Sequence, residues 1–315
     1  MLKTTVGFRV ATHDDVELAA AVVTRADPDH PVVASELLEK WVNTEKGSAV
    51  RRFIVNEDGF EQGWISLVQP RDVGGGTTYL NLLIPAEKKQ LLPAAFEFGE
   101  LQAREMGAPL LICKMREDRE DAVEWLRRDG WTLERTERFW RLDLAANAAR
   151  IRNLRSAVQP RLQETKAVIT TVAELGGEAF LARLHNVAIA SAVDVPRSVE
   201  YIPEPYEDWV VWMLSPAVLS DRIWVAMLDG QPVGYSYLAY RPSVVETGYT
   251  GVLREHRGKG FARGLKLETL VQALDLGVTS VDTDNDSENA PILHINEELG
   301  YQSIPGELEF HRKLS

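Results

Sequence analysis

Two stretches of the chain alternate apolar and polar residues around an Asp-Gly pair: RRFIVNEDGFEQGWISLVQP at residues 51–70 and RIWVAMLDGQPVGYSYLAYR at residues 222–241. A period of two puts one side of a strand into a core, and Asp-Gly accepts the positive φ angles of a tight two-residue turn. Each stretch therefore predicts a hairpin, turning at Asp58-Gly59 and at Asp229-Gly230. The same elements flank both. FRVATHDDVELAAAVV and AVITTVAELGGEAFLARLHNVA each read as strand, polar turn and helix upstream of the hairpin. Downstream come a strand (TTYLNLLIP; VVETGYTGVL) and a long amphipathic helix. A strand (PLLICKM; TSVDTDN) and a helix ending in Gly-aromatic (VEWLRRDGW; LHINEELGY) follow, then a closing strand (RFWRLDL; LEFHRKL).

A repeat of this length predicts a duplicated domain. Strands interleaved with helices give an α/β chain with mixed, α+β-like sheets. The expected division is residues 1–144, a helical connector at 145–166 broken by Pro160, and residues 167–315.

Composition narrows the setting. The 315 residues are 45% hydrophobic and 26% charged, so each half can bury a core and neither reads as disordered. No apolar run reaches the roughly 18 residues of a membrane span, and MLKTTVGFRVATHDDVELAA lacks a secretory apolar segment. Cys113 is the single cysteine, which excludes an internal disulfide and a cysteine-based zinc site. The expectation is a cytoplasmic protein without a metal or a membrane. The net charge of -12 argues against nucleic acid and is compatible with a cationic substrate.

The chemistry concentrates in VLREHRGKGFARG, residues 252–264, where a strand gives way to a helix. A glycine-rich turn opening a helix gathers backbone N–H groups and the positive end of the helix dipole, which suits an anion. A Walker A loop fails here, because Leu253 stands at its first glycine and Gly260 follows the Gly-Lys pair. The dinucleotide fingerprint fails as well, because Arg263 occupies its third glycine and Gly264 comes one residue late.

Arg257-Gly258-Lys259-Gly260-Phe261-Ala262 fits R-x-x-G-x-A and resembles the coenzyme A pyrophosphate loop of the GNAT acyltransferase superfamily. NAPILHINEELGY, from Asn289 to Tyr301, resembles a helix of that superfamily, with Asn289, Leu299, Gly300 and Tyr301 in register. With the repeated element order, the likeness covers the whole chain and identifies two tandem GNAT domains, of the two-domain type that includes mycothiol synthase. Each is then expected to be a mostly antiparallel central sheet flanked by helices.

The resemblance implies acetyl-CoA as acyl donor and a small-molecule amine as acceptor; a homodimer is compatible with it. It implies that the backbone of Val252 and Leu253 pairs with the pantetheine arm. Amides from Gly258 through Lys259, Gly260 and Phe261 to Ala262, with Arg257 near, would hold the pyrophosphate, and Asn289 would lie by the pantetheine or acyl end. A backbone N–H near Val252 would polarise the thioester carbonyl. Glu246, eleven residues before Arg257, matches a catalytic glutamate of the superfamily's histone-acetylating branch; its alternative is a solvent-facing strand residue. The superfamily's usual acid, a tyrosine seven residues after the asparagine, is here Asn296, which cannot give a proton to a thiolate. Tyr249, Tyr301, solvent, or loss of catalysis in an acyl-CoA-binding scaffold stay open.

The first half departs from the loop. In LLIPAEKKQLLPAAF, residues 82–96, Lys88 aligns with Arg257, but Leu91 and Pro93 replace the glycine and alanine, and Arg119 replaces the asparagine. The first half is expected to keep the fold without the cofactor, the alternative being a site built on lysines. Residues 190–214, in the region that covers the acceptor pocket in that superfamily, carry Asp194, Glu200, Tyr201, Glu204, Tyr206, Glu207, Asp208 and Trp209. These suit a cationic amine, or an ordinary polar loop.

Overall fold

The computed structural model describes residues 5–28, 31–71 and 73–314; the first four residues of the N-terminal stretch read above lie outside them. In chain order the elements begin with β1 (Val6–Val10), α1 (Val16–Ala26), α2 (Ala34–Gly47), β2 (Ser48–Glu57), β3 (Phe60–Pro70), β4 (Thr78–Leu83) and α3 (Leu92–Glu105). Then come β5 (Leu110–Arg116), α4 (Glu120–Arg128), β6 (Thr132–Asp143), α5 (Ala148–Glu164), β7 (Val168–Thr171), α6 (Glu178–Ala192) and α7 (Tyr206–Met213). The last are β8 (Ile223–Leu228), β9 (Gln231–Tyr240), β10 (Val245–Val252), α8 (Phe261–Asp275), β11 (Ser280–Asp286), α9 (Ala290–Leu299) and β12 (Gln302–Lys313).

Both hairpins form where the alternation places them, joining β2 to β3 and β8 to β9. Asp58 (φ 51°) with Gly59 (φ 87°), and Asp229 (φ 50°) with Gly230 (φ 74°), supply the two consecutive positive φ angles of the turn.

The chain forms two compact units: Met1–Glu137 with Ser198–Ile202 and Pro305–Ser315, and Arg138–Arg197 with Pro203–Ile304. This departs from the division expected at residue 144. The closing strands of the two repeats are exchanged. From Pro305 onward β12 belongs to the first unit and pairs antiparallel with β5, from Glu307–Arg116 to Lys313–Leu110. From Arg138 onward β6 belongs to the second, next to β11. The physical reason is packing: Leu308, Phe310 and Leu314 complete the apolar core built by β2–β5, α3 and α4.

In the first unit the strand order is β1-β2-β3-β4-β5-β12, with β4 and β5 parallel. In the second it runs β6-β11-β10-β9-β8-β7, with β10 and β11 parallel. One face of the second sheet packs on α5, α8 and α9 through Ile151, Val158, Leu162, Phe261, Leu265 and Leu299. The other packs on α6 and α7 through Phe180, Leu184, Val187 and Met213.

The expected break at Pro160 does not occur. Pro160 lies inside α5, and the helix continues to Glu164. Proline removes the one N–H that would bond to the Ser156 carbonyl. Burial of Val158 and Leu162 against α8 offsets that loss. The approach is close enough that a Cβ on Gly264 would lie 2.8 Å from Leu162, so this glycine serves helix packing.

Candidate active site

The glycine-rich turn leaves β10 at Val252, makes a short 3₁₀ turn at Arg254–His256 and enters α8 at Phe261. Gly258 (φ 73°) and Gly260 (φ 92°) both take the left-handed conformation that other residues avoid. Helical bonding begins with the Gly264 N–H donating to the Gly260 carbonyl, so the N–H groups of Phe261, Ala262 and Arg263 have no partner within the helix. A Cβ on Gly258 would meet nothing within 4 Å, which leaves the approach to these amides open. Arg161 of α5 donates to the Gly258 carbonyl at 2.6 Å and pins the loop from below. Arg161 was not singled out from sequence, because its position in the connector gives no sign that α5 returns to the loop. Lys259 Nζ stands 3.3 Å from His256 Nδ1. First-turn amides without helical partners, with Lys259 beside them, suit a pyrophosphate.

Arg257 sits beside the loop, half-exposed, and is engaged by the protein's own groups. Its Nε donates to the Val252 carbonyl at 3.0 Å, and its Nη2 pairs with Asp194 at 2.8 Å. Arg254 binds the same carboxylate through Nε at 3.2 Å and also through Nη2. Asp194 is thus engaged by the loop's own arginines, which hold its carboxyl below the usual aspartate range and take it out of the acidic set expected to greet a cationic amine.

The backbone of Leu253 is also committed. Its N–H donates to the Val233 carbonyl and its carbonyl accepts from the His256 N–H, both at 2.9 Å. The strand-like pairing expected at Leu253 is therefore not available there. Val252 differs: its register partner on β9 is Gly234, and since the next residue makes the bond to β9, the Val252 N–H points to the β11 side. On that side β10 and β11 are in register at Glu246–Asp282. The group that faces the β11 side is thus the Val252 N–H.

The four catalytic candidates fall on two faces. Val245 packs with the α8 face and Tyr249 with the α6 face, which strict alternation would not allow, because residues four apart point the same way. A register shift between Thr247 and Tyr249 explains it: Gly248 is a bulge. The bulge places Glu246 and Tyr249 on the α6 side together. Glu246 is half-exposed and paired with Arg241 at 2.9 Å. Tyr249 is stacked on Tyr235 with ring centroids 4.9 Å apart, and its hydroxyl is 2.9 Å from Ser191 Oγ of α6. Between the two, burial pushes the Tyr237 phenol up to about 12, with Arg241 lowering it and Glu246 and Tyr249 raising it further.

Tyr301 and Asn296 lie on the opposite, α8–α9 face. Tyr301 is buried, and burial pushes its phenol well above the ordinary tyrosine range; Thr247 beside it opposes this. The hydroxyls of Tyr301 and Thr247 both lack a hydrogen bond of good geometry among the described residues. Asn296 is fully buried and donates to Asn285 Oδ1 at 2.6 Å, while its own Oδ1 has no partner among them. Lys266, in the middle of α8, is buried with Nζ 5.4 Å from the centre of the Tyr301 ring and no hydrogen-bond partner there either. Its one sequence sign is a charged residue in the apolar run GLKLETLV. Asn289 stands at the N-cap of α9 without a capping side-chain bond, and Pro291 fills the first turn. Thr283 is buried on the face of β11 that Val281 shares.

The corresponding place in the first unit is built differently. Arg119 Nη1 donates to the Ile84 carbonyl at 2.8 Å, held in place by Asp121. Lys88 is paired with Glu57 at 2.6 Å. Leu91 is buried, and Pro93 lies in the first turn of α3. In the acceptor segment, Tyr201 bridges Val73 within the first unit, and His185, Tyr206 and Trp209 cluster within the second. His185 Nε2 lies 2.9 Å from the Glu204 carbonyl. Among the described residues no group of His, Cys, Asp and Glu is placed to hold a metal, and no helix is long and apolar enough to cross a membrane.

Residues 186–301 match the model of the Acetyltransferase (GNAT) family, a span that contains the loop, the bulge and α9. No curated protein matches the chain in sequence. Solved structures match it in fold. A tandem GNAT protein from the clavulanic acid biosynthesis pathway, solved without AcCoA, has a TM-score of 0.74 at 18% identity, covering 98% of each chain. A GCN5-related N-acetyltransferase from Sphaerobacter thermophilus has a TM-score of 0.73 at 16% identity, covering 98% of this chain and 95% of that one. A glucosamine N-acetyltransferase region of a fungal multi-domain GH3 β-N-acetylglucosaminidase has a TM-score of 0.72 at 12% identity, covering 99% of this chain and 38% of that one. The fold is therefore the GNAT fold in tandem.

Proposed function

We propose, for a chain whose residues 186–301 match the Acetyltransferase (GNAT) family, that it moves an acetyl group from acetyl-CoA to a primary amine of a small molecule, with the cofactor held by the second unit alone. The observation that carries this is the pair of left-handed glycines, Gly258 and Gly260, opening the first-turn amides of α8, which have no partner within the helix, with the Val252 N–H on the β11 side of β10. The bound thioester supplies the activated acyl group. The amides from Gly258 to Ala262 hold its pyrophosphate, and the Val252 N–H is aimed to stabilise charge on the carbonyl oxygen. Glu246, freed from Arg241, takes the proton of the attacking amine directly or through water.

One observation favours a second reading. Asn296 stands where the superfamily usually has its acid, and its amide, bonded to Asn285, cannot give a proton to a thiolate. A non-catalytic acyl-CoA-binding protein would need no acid there. Calorimetric titration of acetyl-CoA, followed by thiol release with glucosamine, spermidine and L-lysine as probe amines, separates the two. One site per chain, lost in Gly260→Glu, with thiol release above the amine-free rate, supports the transferase. Binding without thiol release supports the alternative, and no binding removes both.

A further inference from the structure

Ser191 lies in the last turn of α6, only 3% exposed, and its hydroxyl has two possible uses. It reaches the Val187 carbonyl one turn back at 2.6 Å, and the Tyr249 hydroxyl at 2.9 Å. A serine hydroxyl carries one proton and two lone pairs. With its proton on Val187, the serine oxygen accepts, and the Tyr249 O–H is the donor. With the hydroxyl turned, Ser191 donates to Tyr249 instead. The switch needs only rotation about one C–O bond.

Tyr249 is held in place to exploit this. The Gly248 bulge aims it at α6, and its ring lies on that of Tyr235. The neighbouring glycines make room for this placement. A Cβ on Gly251 would stand 2.4 Å from the Tyr249 ring and 2.6 Å from Ser191 Oγ, and a Cβ on Gly248 would stand 2.1 Å from the Tyr237 ring. Tyr249 shares its face with Glu246 and is half-buried, whereas Tyr301 is buried on the opposite face.

We propose that Tyr249 gives the leaving thiolate its proton and that Ser191 is the positioning residue that makes this possible. The inference rests on the acyl-transfer reading above. As the amine nitrogen bonds to the carbonyl carbon, the C–S bond breaks and the sulfur takes the proton of the Tyr249 hydroxyl. Ser191 turns its own proton from the Val187 carbonyl to the phenolate oxygen. Hydrogen bonding to the charged form lowers the pKa of the phenol and so improves the acid. The amine's surplus proton leaves through Glu246, and solvent returns one to Tyr249, so charges and protons balance.

The test is a mutant cycle on the intact protein with glucosamine, spermidine and L-lysine as probe amines. Acetyl-CoA binding is measured by calorimetry, and thiol release is followed against pH. Tyr249→Phe is expected to lower kcat about 100-fold, the scale of a lost general acid, with acetyl-CoA affinity unchanged. Ser191→Ala is expected to lower kcat about tenfold and to move the alkaline limb of the profile to higher pH, since the phenol loses its stabilising donor. In the Tyr249→Phe background Ser191→Ala is expected to add nothing. A merely structural serine gives additive losses and an unshifted limb, and that result overturns the proposal while leaving the transferase reading intact. Wild-type protein that binds acetyl-CoA but releases no thiol to amine or water overturns both.

Discussion

Arg257, the first residue of the glycine-rich loop, pairs with Asp194 at 2.8 Å while its Nε holds the Val252 carbonyl at 3.0 Å. A carboxylate of the protein thus occupies the guanidinium that the family resemblance assigns to phosphate. Asp194→Asn is expected to tighten acetyl-CoA binding about two- to fivefold, the scale of an exposed ion pair, as read by calorimetry. Weaker binding would mean that Asp194 orients Arg257 rather than competing for it. The pH sign follows from the lowered carboxyl, caused first by Arg254. The ion pair is in place above the usual aspartate pKa and is lost as pH falls through the depressed one, so the gain from Asp194→Asn should disappear in acid.

The first unit provides the contrast. Arg119 is bonded to the Ile84 carbonyl at the end of β4, and Lys88 is neutralised by Glu57. Arg119→Ala is expected to leave the stoichiometry at one acetyl-CoA per chain, because no glycine turn exists to hold the phosphates. A second calorimetric site in this variant would show that the arginine alone was the barrier.

Gly251 tests the geometry around Tyr249 from a different side. Its missing Cβ would fall 2.4 Å from the Tyr249 ring. Gly251→Ala is expected to cost about 1–3 kcal/mol in chemical denaturation, and to reduce thiol release more than acetyl-CoA binding, because the loop itself is untouched.

Lys266 carries a cost in stability. Burial lowers its ammonium from the ordinary lysine value of 10.5 to about 8, with Asp284 opposing. Below about pH 8 the folded state holds a buried charge, which destabilises it by roughly 3 kcal/mol relative to an unperturbed lysine. Between that pH and the unfolded value the unfolded chain binds more protons, so wild-type stability should rise with pH across this window. Lys266→Met is expected to raise the melting temperature at pH 7 and to flatten that rise. A lower melting temperature would mean that the ammonium has a partner the geometry does not reveal.

The exchanged closing strand predicts a long-range effect. Phe310 is fully buried in the core of the first unit although it lies at the far end of the chain. Phe310→Ala is expected to destabilise that unit by about 3–5 kcal/mol, seen as early loss of amide protection in β5 and α3 by hydrogen exchange. Protection lost first in the second unit would contradict the assignment.

Much of this protein was legible along the chain, because its signals are local. Alternation around Asp58-Gly59 and Asp229-Gly230 set two hairpins, since the turn depends on the φ freedom of two adjacent residues. Gly258 and Gly260 could be read as a helix-opening anion turn for the same reason, and the lack of a counterpart near Lys88 was equally visible. What remained for the tertiary structure was whatever depends on distant partners. Pro160 stays helical because α8 covers its helix, and β12 completes the first core because its apolar residues fit there. The bulge at Gly248 decides which candidates meet: one inserted residue brings Glu246 and Tyr249 to the same face and leaves Tyr301 and Asn296 on the other. A strand's sequence fixes the alternation of its side chains. Only pairing with the neighbouring strand, β9, fixes where that alternation slips.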